Sequence, residues 1–265
     1  MKEKITIVKV GGAVVEDELQ LSQLLNNFSS IEGKKVLIHG GGRRATKIAA
    51  DMGIESTMVG GRRITDAKML EIVTMVYGGL VNKNIVAKLQ QKGVNALGVT
   101  GADMNLIRSH RRPPKAVKMA DNSVETVDFG FVGDVDKVDA KILSVMIEQG
   151  ITPVVAPLTH DGEGSLLNTN ADTIASETAK ALAEYFDVTL VYTFEMRGVL
   201  SNPEDEYSVI PVITKEDFAR LSADGTVSGG MLPKIENALA AVDAGVKEVK
   251  ITRSDILTGG TTIRN

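Results

Sequence analysis

Short β-branched runs alternate with longer helix-patterned segments along this chain, and that alternation limits the fold more than any other feature. Ile5–Val10 and Lys35–His39 read as strands, with helical spacing at Glu16–Asn27 and Arg43–Met52. Asp66–Lys92 reads as one long amphipathic helix with Met69, Ile72, Val73 and Val76 on one face. Further strands are predicted at Ala96–Val99, Thr152–Val155, Val188–Thr193 and Glu248–Thr252. Helices are predicted at Asn170–Glu184 and Met231–Ala244, the second with proline in its first turn. Thr261–Arg264 reads as a last edge strand, and Ala116–Val132 as a hairpin around Asp121-Asn122-Ser123. Strands separated by helices of this length imply right-handed crossovers, so the expected class is α/β with a mostly parallel sheet.

The chain has 265 residues, which suits one large domain or two closely joined lobes. The clearest break in texture is Thr159–Gly164, THDGEG, which reads equally as a lobe boundary or a loop. There are no cysteines, which excludes disulfides, thiolate metal sites and cysteine catalysis, and which fits a reducing cytoplasm. The net charge of −4 argues against a general nucleic-acid binder, so no nucleic-acid partner is expected. No apolar run approaches the roughly 20 residues that span a bilayer, so no membrane partner is expected either.

Each of the first two strands ends in consecutive glycines. In an open α/β sheet, ligands bind beyond the carboxyl ends of the strands. Glycine there lets backbone N–H groups approach an anion, and the following helix adds its positive end. Gly11, Gly12, Gly41 and Gly42 are therefore candidates for an anion site, against the plainer reading of tight turns that need positive φ. Lys9 lies in an apolar strand two residues before Gly11, where a lysine is costly without an anionic partner. Lys234 falls in the first turn of a helix, where the dipole disfavours it unless an anion sits nearby. Asp172 in Asn168-Thr169-Asn170-Ala171-Asp172 suits a helix start by itself. Arg63 could clamp a carboxylate, or belong to a solvated basic loop. His39, His110 and His160 share no metal-ligand spacing, so no metal-binding residues are expected. The string DFG at Asp128–Gly130 has no kinase catalytic loop before it and reads as chance.

Taken in order, VKVGG (Val8–Gly12), HGGG (His39–Gly42), GGRRIT (Gly60–Thr65), VNK (Val81–Lys83), DFGFVGDV (Asp128–Val135), LLNTNAD (Leu166–Asp172), SGGMLPKIENA (Ser228–Ala238) and GGTTI (Gly259–Ile263) resemble the amino-acid kinase family. Within it they are most similar to the members that act on N-acylated glutamate. The resemblance covers nearly the whole chain. It implies a three-layer α/β/α sandwich, with residues 1–165 binding the amino-acid substrate and dimerising and residues 166–265 binding ATP. It implies catalytic roles for Lys9, Lys234 and Asp172, and substrate contacts by Gly41, Gly42, Arg63 and Asn168. Gly11, Gly12, Glu195, Gly198 and Gly230 are implied on the phosphate and ATP side. Glu195, in TFEMRGVL, stands where the family usually has an aspartate, and HGGG is followed by Arg43-Arg44-Ala45 where many members carry proline.

The implied reaction is phosphorylation of the γ-carboxylate of N-acetyl-L-glutamate by ATP with Mg²⁺, in arginine biosynthesis and in the cytoplasm. The basic stretch Arg108–Lys118 leaves N-succinyl-L-glutamate as an alternative substrate, against a plain solvated loop. A catalytically silent amino-acid or nucleotide sensor is the alternative from another class, and Lys9, Asp172 and Lys234 together argue against it. Arginine-inhibited relatives carry an extra N-terminal helix, whereas this chain starts at its first strand, so a homodimer without arginine feedback is expected.

Overall fold

The computed structural model describes residues 2–118 and 122–265. Among these, eight strands form the central sheet: β1 (Lys4–Val10), β2 (Lys34–His39), β3 (Ala96–Val99), β4 (Thr152–Val155), β5 (Asp187–Phe194), β6 (Val212–Ile213), β7 (Glu248–Arg253) and β8 (Thr261–Ile263). Their spatial order is β6-β8-β7-β5-β1-β2-β4-β3. All neighbours run parallel except β7 and β8. The predicted last edge strand is thus an inner one: β8 pairs on both sides, and the two-residue β6 takes the edge.

Side chains alternate across each strand, and both faces are apolar. Ile5, Ile7, Val36 and Ile38 point into one core, and Val8, Val10 and Leu37 into the other. Helices α6 (Ala140–Glu148), α7 (Ala171–Leu182), α8 (Lys215–Ala223) and α9 (Met231–Asp243) pack on the first face. The second face is covered by α2 (Glu18–Ser29), α3 (Gly42–Asp51), α4 (Ala67–Val73) and α5 (Asn82–Gln91). The result is the expected three-layer sandwich. Leu24, Leu25, Phe28 and Ile38 are wholly buried, and each such side chain contributes about 1.5–3 kcal/mol on burial.

The predicted Glu16–Asn27 helix is two helices, α1 (Gly12–Glu16) and α2. Asp17 separates them, its carboxylate accepting from the Leu19 and Gln20 amides as an N-cap. The predicted Asp66–Lys92 helix is continuous in space, but Thr74–Val81 is wound as a π-helix between α4 and α5.

A second, four-stranded sheet comprises Ile107–Arg111, Gly133–Val138, Leu158–His160 and Leu166–Asn168. THDGEG turns the tight hairpin between the last two of these strands. The basic stretch read as a solvated loop is instead mostly strand, Ile107–Arg111 and Lys115–Lys118. Lys115–Lys118 pairs with Val124–Val127 as the predicted hairpin, although Asp121 of its turn lies outside the described residues.

Candidate active site

The glycine loops that close β1 and β2 touch each other. The Gly40 amide donates to the Val10 carbonyl at 2.8 Å. A Cβ on Gly40 would lie 3.1 Å from the Gly12 nitrogen, and one on Gly41 would lie 2.9 Å from the Tyr77 ring. None of Gly11, Gly12, Gly41 or Gly42 lies in the left-handed region of φ, so at Gly40 and Gly41 it is the close approach of neighbours, rather than turn geometry, that favours glycine.

Lys9 sits at the end of β1 on the face covered by α7, opposite Tyr192 of β5. It is only 8% exposed. Its ammonium lies 2.7 Å from the Asp172 carboxylate in the first turn of α7. The contact is ionic and not aligned as a hydrogen bond. Asn170 caps α7 by accepting from the Asp172 and Thr173 amides, which fixes where Asp172 begins. A buried ammonium without this carboxylate would be strongly unfavourable.

Two cavities meet at Lys9. A small pocket of about 220 Å³ is lined by Gly41, Gly42, Arg63, Asn168 and Asp172. A wide cleft of about 1420 Å³ is lined by Gly11, Phe194, Glu195 and Lys234. Lys9, Gly12, Gly42 and Arg63 line both.

On the small-pocket side, Arg63 is 8% exposed rather than part of a solvated loop. Its guanidinium donates to the Gly42 carbonyl at 2.9 Å, to the Thr46 hydroxyl at 2.8 Å, and to the Ser56 hydroxyl. The Asn168 amide donates to the Thr65 hydroxyl at 3.0 Å. Thr65 is itself strapped down: its amide donates to the Phe129 carbonyl and its carbonyl accepts from the Phe131 amide. Gly130, at φ 72°, passes so close that a Cβ would lie 2.3 Å from the Thr65 carbonyl oxygen. Residues of the DFG string therefore strap Thr65 down, a packing role that has nothing of the protein-kinase motif in it.

On the cleft side, the Lys234 ammonium stands 3.8 Å above the Phe194 ring, with Lys9 at 5.9 Å from the same centroid. Burial lowers the Lys234 pKa; Asp172 and Glu195 oppose that, and Lys9 adds to it. Glu195 is exposed, with Arg43 3.9 Å away. Gly198 and Gly230 do not line the cleft. Gly198 packs instead against Thr261 and Val209, and Gly230 caps α9.

Sequence reading missed the support behind the glycine loop. His39 is fully buried, and burial pushes its pKa down to about 4. The ring is therefore neutral: Nδ1 donates to the Gly40 carbonyl at 2.8 Å, and Nε2 accepts from the Asn82 amide at 3.1 Å. The same amide group donates to the Val154 carbonyl of β4. Asn82 belongs to the VNK string, which was the available signal. Among the described residues no cluster of three His, Asp or Glu could hold a metal ion.

Beyond the carboxyl ends of a parallel sheet, two lysines, an aspartate and two glycine loops face a seam between two cavities, which is the arrangement of a phosphoryl-transfer site. The sequence profile of the amino acid kinase family matches residues 4–253, and the chain belongs to that family. Among curated proteins it is 64% identical over 260 residues to the acetylglutamate kinase of Phocaeicola vulgatus, covering 98% of this chain and 97% of that one. It is also 61% identical over 266 residues to the acetylglutamate kinase of Bacteroides fragilis, covering 100% and 98%. Among solved structures, smu.665 from Streptococcus mutans superposes with a TM-score of 0.75 at 29% identity, covering 98% of each chain.

Proposed function

We propose that this chain catalyses ATP-dependent phosphorylation of the γ-carboxylate of N-acetyl-L-glutamate, a step of arginine biosynthesis. The observation that carries the reading is Lys9, whose ammonium stands where the small pocket opens into the wide cleft. One cation thereby faces both reactants. The name shared by the relatives at 61–64% identity supports the acceptor.

In this reading a γ-carboxylate oxygen attacks the γ-phosphorus of ATP. That O–P bond forms, the bond to the β–γ bridging oxygen breaks, and ADP leaves with the electron pair. A γ-carboxyl pKa of about 4.3 means the nucleophile is already ionised at neutral pH, so no general base is needed. The obstacle is repulsion between two anions, and catalysis is positioning and charge stabilisation. Lys9 and Lys234, both near the Phe194 ring, supply positive charge, and the glycine amides line the phosphoryl path. Asp172 holds Lys9 at 2.7 Å and its charge acts on Lys234 as well. Arg63 and Asn168 hold the amino acid, and Glu195 faces the nucleotide. Mg²⁺ bound with ATP would supply further neutralisation of phosphate charge, and Asp172 and Glu195 are the protein carboxylates that would stand nearest to it. Residues 1–165 then serve mainly the amino acid, with Asn168 added from beyond them, and residues 166–265 mainly the nucleotide, with Gly11 and Gly12 added; the chain acts as a cytoplasmic homodimer, whose two-chain state sedimentation would check.

One observation favours a second acyl group, N-succinyl. Arg62 and Arg112 line the small pocket and also a neighbouring cavity of about 600 Å³ under the Lys115–Lys118 hairpin. Arg112 is engaged with Asp134, but Arg62 makes no ion pair among the described residues. ATP-dependent hydroxamate formation in hydroxylamine, with acetyl-, succinyl- and unacylated glutamate, tests both. Turnover with acetylglutamate supports the main reading, and a preference for succinylglutamate replaces it. No turnover with any of the three overturns both.

A further inference from the structure

The π-helix Thr74–Val81 is the one stretch where the long helix departs from α geometry, and it lies directly behind the HGGG loop. Buried positions on this helix step by three or four through Met69, Ile72, Val73 and Val76; beyond these, Tyr77 is followed by Val81 after four residues and also by Asn82 after five, while Val76 is next followed by Val81, five residues on. In an α register Leu80 would follow Val76 into the core; here it is 40% exposed. The five-residue step has a clear consequence. It turns both Tyr77 and Asn82 toward the end of β2, Tyr77 against Gly41 and Asn82 against His39. π-helical turns often occur at functional sites because they present side chains that an α-helix cannot present together.

Tyr77 is 4% exposed, and its ring lies flush against Gly41. Its hydroxyl sits beside Gly42 and the Arg63 guanidinium, and the residue lines the small pocket. Arg63 can only donate, so the hydroxyl can accept from it but cannot give it a proton. The hydroxyl donates no hydrogen bond to a protein acceptor among the described residues. A buried tyrosine usually finds such an acceptor, and here the pocket is the open direction.

We infer that Tyr77 is a substrate-binding residue: its hydroxyl donates to the carboxylate held by Arg63, the one that is not phosphorylated, while its ring braces Gly41. The inference rests on the reading of the small pocket as the acyl-amino-acid site. The π-helix is then the device that lets one helix supply both a ligand for the substrate and, through Asn82 and His39, a support for the loop that borders it.

Tyr77→Phe keeps the ring and removes only the hydroxyl. Steady-state hydroxamate kinetics on the purified full chain should show KM for the acyl-glutamate raised about tenfold or more, as for a lost hydrogen bond to a charged group. The kcat and the KM for ATP should stay within about twofold, with the melting temperature unchanged. A purely bracing role would leave KM alone in Tyr77→Phe and change both constants only in Tyr77→Leu, which would overturn the inference. If wild-type protein turns over no acyl-glutamate, the reading of the pocket fails first. Normal wild-type turnover with an unchanged KM in Tyr77→Phe sinks the role of Tyr77 alone.

Discussion

The small pocket and the wide cleft share Lys9 but are built in opposite ways. The small pocket is made of buried groups already bonded to protein: Arg63 has three oxygen acceptors, Asn168 is tied to Thr65, and the glycine loop is braced by Tyr77, His39 and Asn82. The cleft presents exposed or half-buried side chains instead. Lys234 has an aromatic ring beneath it but no ion pair among the described residues, and Glu195 has one distant cation. Groups held in advance lose little freedom on binding, whereas free side chains must be ordered by the ligand. The difference assigns shape selection to the small pocket and leaves the cleft to be organised by the charge of its occupant.

That contrast can be broken experimentally. The largest effect is expected at the shared lysine. Lys9→Ala should lower kcat by at least about 10²–10³-fold, the usual loss for a preorganised charge contact, with the fold retained by circular dichroism. Near-normal turnover would remove Lys9 from the mechanism. Next comes the support of the small pocket. The His39 pKa is near 4 in the folded chain and about 6.5 when unfolded, so the unfolded chain binds the extra proton between those values. Stability from this group is complete above about pH 6.5 and is lost as pH falls toward 4, on the order of 3 kcal/mol. Urea unfolding of wild type and His39→Gln across that range should give a steeper decline for wild type; parallel curves would show that His39 is not held neutral.

On the cleft side the effects should be smaller. Lys234→Ala should reduce kcat about tenfold, less than Lys9→Ala, because a half-buried cation is less preorganised. Equal losses at the two lysines would erase the asymmetry. Smallest of all, Glu195→Gln should change kcat and the KM for ATP by no more than about twofold, as expected of an exposed charge. A much larger change would make Glu195 part of a built nucleotide site.

The same asymmetry decided what could be read from sequence. β-branched runs and terminal glycines announced β1, β2 and the loops that close them, because local pattern encodes them. Lys9 was legible for a related reason, since a lysine in a two-faced apolar strand calls for a partner. The braces were not legible. The π register differs from α by one residue within Thr74–Val81, a displacement that a hydrophobic face read as continuous does not reveal. His39 meets Asn82 only through the tertiary packing of α5 against the sheet, and the Thr65 strap joins residues 64 and 66 places apart. The Ile107–Arg111 strand was hidden by its polar residues: His110 hydrogen-bonds Asp136, and Arg112 just past the strand end pairs with Asp134, so a sequence that looks solvated is cross-linked to its neighbour.

β1 lies between β5 and β2, and Lys9 is in register with Tyr192 on one side and Ile38 on the other. Its backbone can be released only by parting the middle of the sheet, an opening close in free energy to complete unfolding. The Lys9 amide should therefore be among the slowest in the chain to exchange with deuterium. Heat inactivation should coincide with loss of the fold, because releasing the backbone that carries Lys9 requires parting the middle of the sheet.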